Sequence, residues 1–441
     1  DFYVPEGHVN EDIFAYSNKS GEERSLVVYH NKYASTRGWI RNSVGYSIKT
    51  GPTGDRAIVQ KNLGEGLGLD NDSNAYCIFR DHLSGLEFIR NNRELYEKGL
   101  YVELEAYKCA VFLNFQQVYD NEWHQYAQLA AYLNGRGVPN IQDVMKEIFL
   151  QPIHYPFREL VNAGFYEWVI DHRLTLDSVS PDEIQPVLDE AEIKAGNLLR
   201  EVKRLIQGSG DEAAIARELR DKLAIVLEMP VLERRLPGLA SIHGKEILDY
   251  LKPAGKADPL IWGTVLSWLF THELGKTVAA AEPGETGYAE ISRTWIDEWL
   301  LGKIIAGALQ DTGIEEGAAW RAISLVKLLV IYQDWFRLDD SEPDQVYKVL
   351  QGWLGDSEIQ SFIGVNRYQG ILWYNKESFE SLIWWMFYLA VIGIACKTDG
   401  NEEQAVEQIN RCYEMVYLIH QAEDESGYQI EKLLEETKVL S

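Results

Sequence analysis

The chain has 441 residues, of which 46% are hydrophobic and 12% aromatic, and its formal net charge is −26. This length exceeds one ordinary hydrophobic core, so we expect two or three domains, and the apolar content argues against a disordered chain. The charge is uneven: residues 1–118 carry 13 Lys/Arg and 16 Asp/Glu, whereas the remainder carries 29 and 52. An acidic surface repels phosphate backbones and anionic lipids, which excludes nucleic acid and membrane surfaces as expected partners.

Short runs of β-branched and aromatic residues, separated by turn residues, predict strands in residues 1–118. The runs are Ile13–Tyr16, Ser25–Tyr29, Val44–Ile48, Arg56–Gln60, Ala75–Arg80, Leu100–Leu104 and Ala110–Phe115. Hairpin turns are predicted at NKSGEE, between the first two runs, and at TGPTGD, between the next two. Leu86–Lys98 interrupts these runs with helical spacing. We therefore predict a small antiparallel β-sandwich over residues 1–118.

The pattern changes near Val118, and residues 119–441 predict an all-α helical bundle, which makes the whole chain a multidomain α+β protein. Helix starts are predicted at Ser180, in a capping box with Glu183, and at Asp258 and Asn375. Helix ends are predicted at Gly208, Gly313 and Gly355. The heptad-like stretches Ile193–Ile206 and Ile215–Leu227 predict an antiparallel helical hairpin. Prolines at 230, 237 and 253 suggest a possible division of this region near residues 230–257.

The most apolar stretch is Ser381–Cys396. Sixteen helical residues span about 24 Å, less than the roughly 30 Å of a bilayer core. We therefore expect a buried helix in the middle of a bundle and no membrane span. The first residues also lack the basic and apolar regions of a signal peptide, and there is no initiator Met, so the chain is expected to begin inside a longer polypeptide or to have been trimmed.

The sequence contains no recognisable catalytic, metal-binding or cofactor-binding motif. His272-Glu273 lies in THELG, but no second His follows at zinc-binding spacing, so the pair is expected on a helix surface, and no metal site is predicted. Gly64, Gly66 and Gly68 lack the context and the Lys of a phosphate-binding loop, so no cofactor is predicted. The four cysteines suggest neither a zinc site nor a disulfide framework, which favours a cytoplasmic location. No catalytic residue is assigned.

Aromatic residues give the best indication of a ligand surface. Twelve of the thirteen tryptophans lie after residue 118, and the pairs Trp262/Trp268, Trp295/Trp299 and Trp384/Trp385 follow apolar helical patterns that indicate core packing. The segment VNRYQGILWYNKE, residues 365–377, lies between two helices and mixes aromatic with polar side chains. Loops carry binding residues more often than helices do. Carbohydrate-binding candidates are therefore Arg367, Tyr368, Trp373 and Asn375.

The segment LSGLEFIRNNRELYEKGLYVELEAYKCAVFLNFQQV, residues 83–118, resembles the end of the β-domain in large bacterial proteins of the alpha-amylase superfamily, glycoside hydrolase family 13-like. VYHNKY at residues 28–33 resembles a strand of that domain. The stretches at residues 121–139, 295–309 and 366–385 resemble the long helical tail of the same proteins. The superfamily's catalytic Asp and Glu motifs, and the βα alternation of its barrel, are absent from this sequence.

The resemblance implies a C-terminal, non-catalytic accessory region, with an amylase-type all-β C-domain at 1–118 and a helical tail at 119–441. Its partner would be an upstream catalytic (β/α)8 barrel, of the same or a companion polypeptide, and it would also contact α-glucan. A β-domain that buries one face against such a barrel should expose an apolar patch. Two alternatives stay open: an interaction or oligomerisation module without sugar binding, and an independent enzyme with a site in the helical bundle.

Overall fold

A computed structural model of the chain describes residues 1–50, 55–121, 124–178, 180–240, 242–279, 287–337, 344–397 and 401–440. The architecture is the predicted multidomain α+β, with small antiparallel sheets followed by many helices. The chain forms two compact units, Asp1–Phe149 and Leu150–Ser441. The strand-to-helix change near Val118 lies one residue before the end of the last long strand, yet the first compact unit continues to Phe149.

The described residues of the first unit form ten strands: β1 (Phe2–Tyr3), β2 (Ile13–Ser20), β3 (Glu23–His30), β4 (Thr36–Ile40), β5 (Tyr46–Lys49), β6 (Arg56–Val59), β7 (Ala75–Asp81), β8 (Glu87–Asn91), β9 (Leu100–Leu104) and β10 (Cys109–Tyr119). They form a five-stranded antiparallel sheet in the order β2-β3-β10-β7-β8, a three-stranded sheet β1-β4-β9 and the pair β5-β6. Residues of the two larger sheets share one core, which includes Leu26, Val28, Phe112, Ile40 and Val102. The predicted β-sandwich is therefore confirmed.

The NKSGEE hairpin is confirmed, since β2 pairs with β3 around Gly21, whose φ of +61° suits glycine. The second predicted hairpin joins β5 to β6, and residues 51–54 of its turn lie outside the described residues.

The helical interpretation of Leu86–Lys98 is wrong for its first half. Glu87–Asn91 forms strand β8, in which Ile89 pairs with Ile78 and is buried, while Phe88 stacks on Phe79 at 5.7 Å. These cross-strand contacts outweigh the local helical spacing. Only α2 (Asn92–Glu97) is helical, and the Asn91 side chain caps it by accepting from the Arg93 amide.

Three further helices complete the first unit or lead out of it: α1 (Leu63–Leu67), α3 (Gln125–Leu133) and α4 (Ile141–Leu160). The glycines at 64, 66 and 68 belong to α1 and its C-cap, where Gly68 has a φ of +61°. Leu129 and Leu133 of α3 pack with Ile141, Tyr76 and Ile89, which explains why the compact unit continues beyond the sheet.

The second unit is helical: α5 (Ala163–Asp171), α6 (Gln185–Ile206), α7 (Glu212–Glu228), α8 (Leu232–Arg235), α9 (Ile242–Gly255), α10 (Pro259–Leu269), α11 (Gly287–Glu298), α12 (Leu301–Asp311), α13 (Glu316–Ile331), α14 (Gln345–Gly355), α15 (Ser357–Phe362), α16 (Lys376–Cys396), α17 (Glu402–Ser426) and α18 (Ile430–Leu440). Strands β11 (Asn366–Tyr368) and β12 (Ile371–Trp373) form a hairpin between α15 and α16. One hydrophobic core continues through the unit, including residues 230–257.

The predicted helix starts of this unit are confirmed, and Gly208, Gly313 and Gly355 lie within two residues of the ends of α6, α12 and α14. Ser180 and Glu183 form a capping box, and the side chains of Asp258 and Asn375 cap α10 and α16. Helix α6 packs against α7 as the predicted hairpin, and Lys203 near the end of α6 pairs with Glu212 at 2.6 Å.

Helix α16 is the centre of the bundle. It is long and apolar enough to cross a membrane, but 72% of its most apolar window is buried, as in the central helix of a bundle. Trp262, Trp268, Trp295, Trp299 and Trp385 are buried and Trp384 packs against the same core, so the predicted core role of these aromatic pairs is confirmed.

Candidate functional site

The hairpin β11–β12 carries three of the four predicted carbohydrate-binding residues. Its two turn residues, Gln369 and Gly370, both have positive φ, at 50° and 86°, as a two-residue hairpin requires. Tyr368 pairs with Ile371, and Asn366 with Trp373. Because cross-strand partners and alternate residues share a face, Tyr368 and Trp373 lie on one face of the hairpin.

The other two candidates are placed differently. Arg367 pairs with Leu372 and lies on the opposite face of the hairpin. The Asn375 Oδ1 accepts hydrogen bonds from the amide and the hydroxyl of Ser378, at 2.8 and 2.7 Å, so this amide oxygen is used as a helix cap. The structure therefore brings together Tyr368, which is 64% exposed, and the partly buried Trp373.

The turn between α17 and α18 holds the hairpin in place. The Tyr374 amide donates to the Tyr428 carbonyl at 3.1 Å, and Trp373 forms a bridge with Gln429. The Tyr374 hydroxyl is 3.1 Å from the hydroxyl of Ser426. The predicted loop and the C-terminal end of α17 are therefore one structural region.

A cluster of potential metal ligands lies in the same region: Glu380 on α16 and His420 and Glu423 on α17. One ligand atom from each residue lies within 4.8 Å of the others. Glu423 is buried, and this burial raises the pKa of its carboxyl, although the adjacent His420 imidazole opposes the shift. We call these three residues the α16–α17 cluster.

The expectation for His272-Glu273 is wrong. Neither residue lies on a helix surface: both are in the turn that follows α10, and their side chains are 0% and 2% exposed. Lys222 of α7 is buried beside them, with its Nζ 2.8 Å from the His272 Nε2 and in contact with Glu273. One signal of this burial is present in the sequence, because Lys222 lies on the apolar face of α7 between Leu219 and Val226.

Two further charged groups extend this set into a larger network, in which the Glu273 Oε2 has no hydrogen-bond partner among the described residues. The Lys276 Nζ lies 2.8 Å from Glu273 and 2.6 Å from Glu218, and Glu218 also reaches Lys222 at 3.2 Å. His272 donates through Nδ1 to the Leu269 carbonyl, so its Nε2 accepts from the Lys222 ammonium and the ring is neutral. The positive charges of the two lysines then balance the negative charges of the two glutamates. We call this set, with His272, the α7–α10 network.

Burial and neighbouring charges set the protonation states of the network. Burial lowers the pKa of His272, and the Lys222 ammonium lowers it further. Burial alone would lower the pKa of Lys222, but Glu273 and Glu218 outweigh it and raise the pKa above its ordinary value. Burial alone would raise the pKa of Glu273, but the Lys222 charge holds it well below its usual range. This arrangement is typical of structural ion pairing.

The first unit carries a different surface, on the outer face of its five-stranded sheet. Phe14 of β2 pairs with Tyr29 of β3, and Tyr16 pairs with Val27. Phe14 and Tyr16 are 54% and 62% exposed, while the alternate residues of β3, Leu26 and Val28, are in the core. We call the outer face formed by Phe14, Tyr16, Val27 and Tyr29 the aromatic face.

No family model, curated protein or solved structure matches this chain. The relation to the alpha-amylase superfamily therefore stays a prediction from the residues quoted above.

Proposed function

We propose that the chain is a non-catalytic accessory region of an amylase-like glycoside hydrolase, in which the aromatic face of the first unit packs against a catalytic (β/α)8 barrel. The observation that supports this proposal is the exposure of Phe14 and Tyr16 on a sheet whose other side already has a core. The outer face of an antiparallel sheet is commonly polar when water covers it. An apolar outer face is typical of an interface.

The aromatic face continues from β2 and β3 onto β10. On β10, Cys109 pairs with Tyr29, which in turn pairs with Phe14. Val111 pairs with Val27, which in turn pairs with Tyr16. Aromatic side chains are enriched at protein interfaces and carry much of their binding energy. If the barrel and the β-domain belong to one polypeptide, their contact is intramolecular. The barrel would then cover these rings without a large cost in association entropy.

The exposed hairpin in the second unit supports the sugar-binding part of the proposal. Tyr368 and Trp373 share one face, and aromatic rings present the apolar surface on which sugar rings stack. Location in the cytoplasm is part of the same proposal, and it is supported by four cysteines that are all free. Nucleic acid and membrane lipid are not proposed as partners.

Hydroxyl-radical footprinting tests the docking proposal. The isolated chain is compared with the polypeptide or complex purified from its native source. We expect oxidation of Phe14 and Tyr16 to fall severalfold in the native form, with Tyr155, which is 73% exposed, as the internal reference. Cross-links from β2 should reach a (β/α)8 domain. Equal oxidation of Phe14 and Tyr16 in both forms would overturn the proposal.

The alternative is an oligomerisation module, in which the aromatic face contacts a second copy of the chain. Light scattering after size exclusion distinguishes barrel docking from oligomerisation. If the chain oligomerises through this face, the double substitution Phe14→Ser/Tyr16→Ser converts a dimer into a monomer. A monomer at high concentration before substitution removes this alternative.

Affinity electrophoresis through glycogen tests the sugar-binding part. We expect the chain to be retarded, and Trp373→Ala or Tyr368→Ala to abolish the retardation. Trp320→Ala is the matched control, because Trp320 is 45% exposed on α13, away from the hairpin in sequence. An unretarded native chain would remove glucan from the proposal.

A further inference from the structure

The α16–α17 cluster combines the ligand types that divalent transition metals prefer. His420 and Glu423 are three residues apart on α17 and therefore share a helix face, and Glu380 reaches the same place from α16. Their ligand atoms lie within 4.8 Å of one another, a spacing that one ion can bridge. Imidazole nitrogen and carboxylate oxygen together form ligand sets for zinc and related ions.

Glu423 provides an independent indication of a ligand. Its side chain is 1% exposed, and its Oε2 lies 3.2 Å from the His420 Nδ1. The second oxygen, Oε1, is buried and has no hydrogen-bond partner among the described residues. A buried carboxylate oxygen without a partner is costly. A cation bound to this carboxylate would supply the missing partner.

The contact on the other side of the imidazole fits a metal ligand. The Tyr250 hydroxyl lies 3.1 Å from the His420 Nε2. If Nε2 carries the proton and donates to this hydroxyl oxygen, the lone pair of Nδ1 faces Glu423. Ligating histidines usually donate their other N–H to such an acceptor, which fixes the ring and its tautomer.

Charge near the cluster permits a cation, in contrast with the α7–α10 network. The Lys376 ammonium lies 3.7 Å from Glu380, and its side chain is 37% exposed. It contacts the partly exposed carboxylate and leaves the Glu423 Oε1 unpaired. Glu380, with 43% of its side chain exposed, gives an ion access from solvent.

We propose that Glu380, His420 and Glu423 bind one divalent transition-metal ion, with Zn²⁺ preferred, and that Tyr250 is a positioning residue for His420. Zinc is preferred because its sites combine imidazole with carboxylate and accept three protein ligands plus water. Ca²⁺ and Mg²⁺ prefer sites made of oxygen alone, so they should bind much more weakly. The site does not depend on the proposed glycoside hydrolase function.

Isothermal titration calorimetry of the EDTA-treated full chain with ZnCl₂ at pH 7.5 tests the proposal. We expect one equivalent to bind, and Glu423→Gln, Glu380→Gln and His420→Ala each to weaken binding at least about tenfold. Glu425→Gln is the matched control, because Glu425 is an exposed glutamate on the same helix. It should bind Zn²⁺ like the unaltered chain.

Visible absorption of bound Co²⁺ provides the second readout. Tyr250→Phe should shift the d–d bands and weaken binding about tenfold while the fold, followed by circular dichroism, is retained. If Glu423→Gln does not fold, Glu380→Gln still tests the site, because Glu380 is half-exposed and its substitution does not alter the core. Absence of one-equivalent Zn²⁺ binding, or unchanged affinity in both Glu380→Gln and His420→Ala, would overturn the proposal.

Discussion

The second unit places a histidine beside a buried glutamate twice, and the two sites balance the carboxylate charge in different ways. In the α7–α10 network, Lys222 and Lys276 both contact Glu273. In the α16–α17 cluster, Glu423 contacts the imidazole of His420 and no ammonium among the described residues. Both glutamates keep one buried oxygen without a hydrogen-bond partner there, the Oε2 of Glu273 and the Oε1 of Glu423. A buried carboxylate paired with lysines is explained by folding alone. One without such a cation indicates a ligand.

The largest expected effect is at Lys222. Lys222→Met should lower the free energy of unfolding by about 3–5 kcal/mol, because it leaves the buried Glu273 charge with one ammonium instead of two. Urea unfolding at pH 7.5 measures this. Lys252→Met is the matched control, since Lys252 pairs with Asp249 at 2.7 Å while both side chains are about two-thirds exposed. It should change stability little. Equal effects would show that the network is not a structural ion pair.

The pH dependence should have opposite signs at the two sites. The folded-state pKa values of His272 and Glu273 are lowered, so their contribution to stability is present above the unfolded values of 6.5 and 4.5 and is lost as the pH falls. The pKa of Glu423 is raised, so its contribution is present below 4.5 and is lost as the pH rises.

Unfolding measured at pH 7.5 and pH 5.5 tests the His272 contribution. The chain should lose about 1 kcal/mol on acidification through this histidine, and His272→Gln should reduce that loss. An unchanged pH dependence in His272→Gln would contradict the assignment of a neutral imidazole.

The positions of these two sites also show how far the sequence predicts the structure. Caps such as Ser180 and Asn375, and the β2–β3 hairpin, depend on residues within a few positions of each other, and all were predicted. The pairing of Lys222 with Glu273 joins residues 51 positions apart, so no local pattern contains it. The strand β8 was missed for a different reason: its partner β7 is close in sequence, with Arg80 paired to Glu87, but the helical spacing of residues 86–98 hid the strand.

The candidate site was predicted only in part. The aromatic hairpin was found because polar and aromatic residues concentrate between two helices. The α16–α17 cluster was missed, although Glu423 follows Cys412, Val416 and Ile419 on the apolar face of α17, where a charged residue is unexpected. A charged residue in an apolar periodicity, as at Lys222 and Glu423, was the available signal.

A smaller effect is expected at Glu423 in the metal-free chain. Glu423→Gln should change the free energy of unfolding at pH 7.5 by less than about 1 kcal/mol, because no ammonium loses a buried partner and a desolvated charge is removed. Urea unfolding in EDTA measures this. A loss as large as that in Lys222→Met would mean that Glu423 has a structural role like that of Glu273.

The smallest expected effect is that of removing the Lys376 charge beside the α16–α17 cluster. The Lys376 ammonium lies 3.7 Å from Glu380 and is exposed, so it competes weakly with a cation for that carboxylate. Lys376→Gln should therefore tighten Zn²⁺ binding about two- to fivefold, and the gain should shrink as salt screens the exposed charge. Calorimetry at low and high ionic strength measures both, with Lys432→Gln on α18 as the control. Weaker binding after Lys376→Gln would mean that this lysine orders Glu380 for the ion and does not oppose it.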